Sequence, residues 1–505
     1  MKYIFMREHF KYIITVFVFL HISILATSQS FYVEYNDACR SIYKDIIDLK
    51  INSAKAKLIQ IEKSEPQNLA RIHLDNYVDF FELFINEDLK QFKLLRKNKD
   101  LRLKILEKSL ANDDPYKKFV LAEINLQWAV SRSKFDELFK AAREVFAAYN
   151  LLKENAREHP DFIYNKKSLS IIHSLIETIT IPGIFKKIFG IKGSIALGLN
   201  EIEQVLEYSY SENFIFNEEA DAIYSFILFF QCNKKEKAWK FIQESRLNPK
   251  ESLLATFLVC KIAQRSGLNE EAISILHHRP EGDEYMPFYY LDLLEGISQL
   301  RKLDPNCREK IDFYINNFDG QHYIKEANQK MAWASLVFDE DIIKYKYYMS
   351  QVKDRGVALL DDDKQALKES VNRSIPDPTI LKSRLLYDGG YYEPAHRLLT
   401  KMAHRYMHQG QFSLEFNYRI GRTAQALKNY PEAIMYLSNT LNNGYHAEEY
   451  YACNAALQIG AIYESQNNLE LALKYYKTCL KLSPKEYKNS IHQKAKTGIN
   501  RLENR

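Results

Sequence analysis

At 505 residues the chain is too long for one hydrophobic core, which leaves several subdomains or one array whose units bury surface against their neighbours. Only 16 Gly and 13 Pro, with no Gly/Ser-rich or Pro-rich linker, suit a helical fold, and aromatic residues reach 13%. A net charge of +5 from well-mixed Lys, Arg, Asp and Glu offers no basic stripe, which excludes nucleic acid as the expected partner.

Residues 1–28 read as a cleaved export signal. Lys2, Arg7 and Lys11 form a basic start, residues 13–25 an apolar run broken by Thr15, His21 and Ser23, and Ala26, Thr27 and Ser28 a cleavage site before Gln29. The run is shorter than the ~20 residues a bilayer-spanning helix needs, so no transmembrane span is expected. No Cys stands at the cleavage site to carry a lipid anchor. Losing Lys2, Arg7, Lys11 and Glu8 removes two net positive charges and leaves +3 on the mature chain. Export permits disulfides, and the pairing of the six Cys is open. Cys260 and Cys479 stand where helix pairs use small packing residues, which predicts single buried thiols.

Residues 29–170 read as long amphipathic helices without repeat marks. Tyr77, Phe80, Phe81, Phe84 and Ile85 form one apolar face, and Phe119, Ala122, Leu126 and Val130 recur at spacings of three and four. Asp114 before Pro115 predicts an N-cap followed by proline in the first turn. Residues 171–345 read as divergent helical repeats. Their first part, Ile181, Pro182, Gly183, Phe185, Ile188 and Phe189 beside Lys186, Lys187 and Lys192, is either a buried crossover or an element for peripheral membrane contact. Ala238 and Ala272, 34 residues apart, each open a second-helix pattern after an Asn- or Gly-containing turn. Adjacent His277 and His278 point about 100° apart on a helix, which suits an exposed helix end better than one metal. Trp333 follows Tyr323, Ile324 and Ala327 at helical spacing and reads as core. Asp361, Asp362 and Asp363 suit a helix N-terminus and lack the glycine and distant glutamate of a calcium loop.

Residues 346–505 read as a repeat array with a capping helix. One copy runs through Leu385, Leu386, Gly389, Gly390, Tyr392, Ala395 and Leu399; the next through Ile420, Gly421, Ala433 and Leu437; the last through Gly460, Tyr463, Ala472, Tyr476 and Pro484. Ala395, Ala433 and Ala472 are 38 and 39 residues apart, and a helix over 487–502 follows.

The last copy resembles a tetratricopeptide repeat. Together with the repeat before it and the segments Ile181 to Leu199, Gly320 to Trp333 and Ser383 to Tyr392, it makes the chain similar to an exported tetratricopeptide-repeat family of Bacteroidetes type, and more distantly to the eukaryotic inclusion-body-clearance family. The likeness spans roughly residues 165–500 and implies an all-α, α-α superhelical solenoid with a longer-helix N-terminal region. It transfers no catalytic residue.

No zinc-binding His-Glu-x-x-His helix, Gly-x-Ser-x-Gly elbow or phosphate-binding glycine loop occurs, so catalytic, cofactor and metal sites are all expected to be absent. In a solenoid the first helices of successive repeats line the groove. That predicts a partner-binding groove of Arg384, Tyr387, Tyr418, Arg422, Gln425, Asn454 and Glu464, with Leu457 and Ala461 beside them. Arg384 and Arg422 near two tyrosines suit a carboxylate or acidic peptide. The expected function is a non-enzymatic scaffold in the periplasm or at the outer membrane, capturing a peptide or helix of an envelope protein. The alternative is a glycan- or nutrient-binding envelope protein of the same fold.

Overall fold

The computed structural model describes residues 30–176, 191–372, 374–406 and 410–503. The expected export signal and most of the 181–193 segment lie outside the described residues. Among the described residues the regular elements are 25 α-helices and one π-helical turn, with no strand. The chain divides into two compact units, Met1–Phe84 with Leu89–Ala220, and Ile85–Asp88 with Asp221–Arg505.

The first unit contains α1 (Asp37–Ile47), α2 (Ile51–Ser64), most of α3 (Ala70–Asn86), α4 (Leu89–Ser109), α5 (Pro115–Lys134), α6 (Leu138–Glu158), α7 (Tyr164–Ile176), α8 (Ile195–Ser211) and the start of α9 (Asn217–Phe226). Asp114 caps α5 by accepting the Tyr116 N–H at 2.8 Å, and Pro115 occupies the first turn, where no intrahelical donor is needed. Within the predicted apolar stripes Tyr77, Ile85, Phe119 and Ala122 are buried, Phe80, Phe81 and Phe84 are half-buried, and Val130 is exposed. The core is an aromatic cluster of Tyr35, Tyr43, Tyr77, Phe119, Tyr164 and Phe216 around His73. Inside it the Lys167 ammonium is shared between the Glu123 and Glu219 carboxylates at 2.7 Å each, 4.6 Å from the Phe216 ring. A buried charge survives there only because it is paired on both sides.

The second unit continues after the π-helical turn Ile227–Gln231 through α10 (Lys235–Glu244), α11 (Leu253–Arg265), α12 (Asn269–His277), α13 (Tyr290–Arg301), α14 (Cys307–Asn317), α15 (Ile324–Asp339), α16 (Ile342–Asp354) and α17 (Asp361–Val371). It ends with α18 (Pro378–Asp388), α19 (Tyr392–Lys401), α20 (Ala403–Tyr406), α21 (Ser413–Ala426), α22 (Tyr430–Asn443), α23 (Tyr451–Ser465), α24 (Leu469–Lys481) and α25 (Lys488–Glu503). Adjacent helices pair as antiparallel hairpins, the packing of a helical solenoid.

One local geometry recurs at the hairpin turns. Leu49, Asp136, Asn233, Gly267, Gly390, Lys428 and Asn467 have φ between 54° and 83°, and each stands five positions before an alanine: Ala54, Ala141, Ala238, Ala272, Ala395, Ala433 and Ala472. Six of these alanines are wholly buried, and Ala141 is 8% exposed. The left-handed residue reverses the chain, and the amide after it reaches back five positions to a helical carbonyl, as in Leu268 N–H to Ala263, Tyr391 to Leu386, Asn429 to Ala424 and Asn468 to Tyr463, at 2.8 to 3.0 Å. At the first turn of the second unit the π-helical residue shifts this bond to six, Lys234 to Leu228. The buried alanine then lets the second helix close onto the first.

The same turn in α1–α2 and α5–α6 brings repeat geometry into the region that reads as plain long helices. Residue identity conceals it, because Leu49 and Asp136 occupy the left-handed position where glycine or asparagine would have marked a turn.

Candidate functional site

In the second unit successive first helices touch, α18 with α21 and α21 with α23, while α19 and α22 also pack onto the next first helix. The predicted groove residues lie on α18, α21 and α23, and α15 packs against α18. The side chains there are cations interleaved with aromatic rings.

Trp333, 3% exposed, is held by its indole N–H donating to Glu369 Oε1 at 2.8 Å. Tyr345 O–H and Gln329 Nε2 donate to the same carboxylate, which fixes its position. Over the indole stand two cations, the Lys330 ammonium at 4.0 Å and the Arg384 guanidinium at 4.7 Å from the ring centre. Burial lowers the Lys330 pKa, with Glu326 at 3.6 Å acting in the opposite direction. The Arg384 side chain is 38% exposed, and Asp388 at 3.9 Å is its ion-pair contact. Among the described residues its guanidinium donates no hydrogen bond.

The other predicted groove residues are more occupied. Arg422 donates from Nη2 to the Tyr387 hydroxyl at 2.6 Å and from Nη1 to the Tyr418 hydroxyl at 3.1 Å, joining α18 to α21. Its Nε and the neighbouring Gln425 Oε1 are buried without a partner. Tyr418 is 3% exposed and packs against Tyr450 and Tyr451. Arg419, which sequence reasoning passed over, lies 5.6 Å from the Tyr418 ring and is held by Glu415 at 2.9 Å. Asn454 accepts from Gln458 along its own helix, and Leu457 is core.

Glu464 belongs to a different contact. Arg501 on α25 donates two hydrogen bonds to its carboxylate at 2.6 and 2.7 Å, and the Tyr476 hydroxyl adds a third at 2.6 Å. It anchors the last helix to the last hairpin. Tyr387, Tyr418 and Arg422 thus come together across α18 and α21, Arg384 lies instead over Trp333 of α15, and Glu464 faces α25. Trp333 is core, as expected, and its contact with Arg384 was not legible because α16 and α17 intervene before α18, so no repeat spacing links the two.

The acidic triplet opens α17 as expected, and one of its members has a further role. Asp363 is wholly buried and accepts the Tyr323 and Glu326 amides at 2.7 and 3.1 Å, capping α15 rather than its own helix α17. Burial pushes its carboxyl up to about 6. His277 and His278 are exposed at the end of α12, and the described residues contain no group of three His, Cys, Asp or Glu side chains placed to hold a metal.

Residues 454–486 match the tetratricopeptide repeat family model. The matched stretch covers most of α23, all of α24 and the turn between them. The chain thus contains a region similar to a tetratricopeptide repeat, at the end of a series of hairpins sharing its turn and its buried alanine. No curated protein matches the chain. Among the described residues no helix is long and apolar enough to cross a membrane.

Proposed function

We propose that the second unit is a non-enzymatic binding module that captures an acidic segment of a protein partner along α15, α18 and α21. The observation that carries this reading is the part-exposed Arg384 guanidinium, held on the Trp333 ring and donating no hydrogen bond among the described residues. Stacking on an aromatic plane pre-orders the side chain, so little rotamer freedom is lost when a carboxylate takes the fork. Lys330 on the same ring adds a second positive charge. The match to a tetratricopeptide repeat agrees with a protein-interaction role. The basic start, apolar run and small-residue cleavage site of residues 1–28 support, within this proposal, a location in the cell envelope after export.

A fluorescein-labelled oligoglutamate peptide tests the site by anisotropy, with oligolysine as the control. Arg384→Ala is expected to weaken oligoglutamate binding about 10-fold, the scale of one charge-assisted hydrogen-bond pair. Unchanged affinity, or equal binding of oligolysine, would defeat the assignment. Arg384→Ala is more informative than Arg422→Ala, because Arg422 also ties Tyr387 to Tyr418. N-terminal sequencing of protein from envelope fractions checks the location separately; a mature chain starting at Gln29 is expected.

A further inference from the structure

Cys453 on α23 and Cys479 on α24 stand across the last hairpin with their Sγ atoms 3.7 Å apart. They are 1% and 0% exposed, enclosed by Leu441, Ala456, Leu457, Tyr476 and Leu482. The sequence reading took Cys479 as a single packing thiol, and nothing in the 26-residue spacing suggested a partner. Antiparallel pairing of the two helices brings the thiols together. The remaining buried thiols are isolated: burial pushes Cys39, Cys260 and Cys307 up to about 12. Cys453 instead shifts down, because the Cys479 S–H can donate to its sulfur.

We propose that Cys453 and Cys479 are an oxidative modification site, closing to an intramolecular disulfide that staples the last hairpin. The sulfurs must approach by roughly 1.7 Å to reach disulfide length, a displacement within reach of side-chain rotation and a small slide of α24 on α23. The co-reactant is a small-molecule or protein disulfide. One cysteine thiolate attacks a sulfur of that disulfide, forming a mixed disulfide and expelling the first thiolate. The second cysteine, deprotonated, attacks the protein sulfur of the mixed disulfide and expels the second thiolate. Two protein thiols lose two electrons and two protons, and the oxidant is reduced to two thiols. Both thiols are buried, so the first step requires local opening of α24 and α25.

The staple would make the hairpin's state depend on compartment, dithiol in a glutathione-reducing interior and disulfide in an oxidising one. It requires no groove residue, so its outcome is independent of acidic-segment binding. The test incubates the full chain with oxidised glutathione, denatures it, alkylates free thiols and maps the unreduced peptides by mass spectrometry. A linked peptide joining the Cys453 and Cys479 regions is expected, with two of the six thiols protected from alkylator and restored by reductant. Persistent alkylation of both residues would overturn the proposal. So would a glutathione adduct that accumulates without resolving, or linkage of either residue to another cysteine. Cys453→Ala is expected to abolish the cross-link and leave Cys479 alkylated or glutathionylated. Because the wild-type map is decisive alone, a folding defect in that variant leaves the proposal testable.

Discussion

His73 is a neutral imidazole built into the first unit. Burial, reinforced by the Lys167 ammonium and opposed by Glu219, pushes it down to about 3; Nδ1 is hydrogen-bonded to the Tyr35 hydroxyl at 2.7 Å, and Nε2 lies 3.9 Å from Glu123 Oε2 without a hydrogen bond. The unfolded chain takes up a proton at the ordinary histidine value near 6.5, whereas the folded chain does so only near 3. Its contribution is therefore fully present above about pH 6.5 and lost as the pH falls toward 3, by up to about 1.4 kcal/mol per unit. Urea unfolding followed on the first unit should show a loss of about 1.6 kcal/mol between pH 6.5 and 5 from this group. His73→Gln should flatten that part of the slope, and an unchanged slope would remove His73 as its source. None of this is legible in the sequence, where His73 is one histidine in a helical pattern. Its environment comes from Tyr35, Phe119, Lys167 and Phe216, residues far apart in the chain. Ala238, Ala272, Ala395, Ala433 and Ala472 were legible because a small residue at a close helix crossing is demanded locally.

At the scale of elements the hairpin turn is the recurring object, and two of its positions make opposite predictions. At Gly390 φ is +83°, and an added Cβ would lie 1.9 Å from the Gly267 carbonyl oxygen, so two turns of the array touch and Gly390 has no room for a side chain. Gly390→Ala should therefore destabilise the second unit by about 2–4 kcal/mol, combining the left-handed penalty with displaced backbone. At Lys428 the same left-handed conformation is held by a side-chain-bearing residue with φ +61°. Lys428→Gly removes that penalty at some cost in chain entropy, and a gain of about 0.5 kcal/mol is expected. Urea midpoints of the two variants, moving in opposite directions from wild type, check the pair. Equal losses would mean that helix propensity rather than turn conformation governs these positions. The sequence disclosed the turns at Asn233, Gly267 and Gly390 through residue type. It concealed those at Leu49 and Asp136, since a left-handed conformation can be imposed on any residue by the packing of the helices on either side.

For the whole molecule, the consequence of hairpins that bury surface mainly against neighbours is that stability should be local and sensitive at the array's end. The end was legible: a helix over 487–502 is predicted, and α25 spans Lys488–Glu503. Its attachment was not, because Glu464 reads as a groove residue until Arg501 is seen to hold it. Tyr476 shows what α25 covers. Its ring lies between Gly460 and Gly498, where an added Cβ would come within 2.7 and 2.6 Å of ring carbons. Ile491 and Ala495 close the same core cluster. Deleting residues 488–505 strips one face from Tyr476 and exposes the last hairpin, whereas Arg501→Ala leaves the apolar contacts in place and removes only the ion pair. Hydrogen exchange should therefore rank the two. The deletion is expected to lower protection in α23 and α24 by 10-fold or more, equivalent to about 1.4 kcal/mol of local opening energy, and Arg501→Ala by less. Protection in α5 and α7 of the first unit should remain as in wild type in both. A uniform loss across α5, α7, α23 and α24 would instead mean that the chain unfolds as one cooperative body, because a nearest-neighbour array transmits the missing helix only to the hairpin it covers.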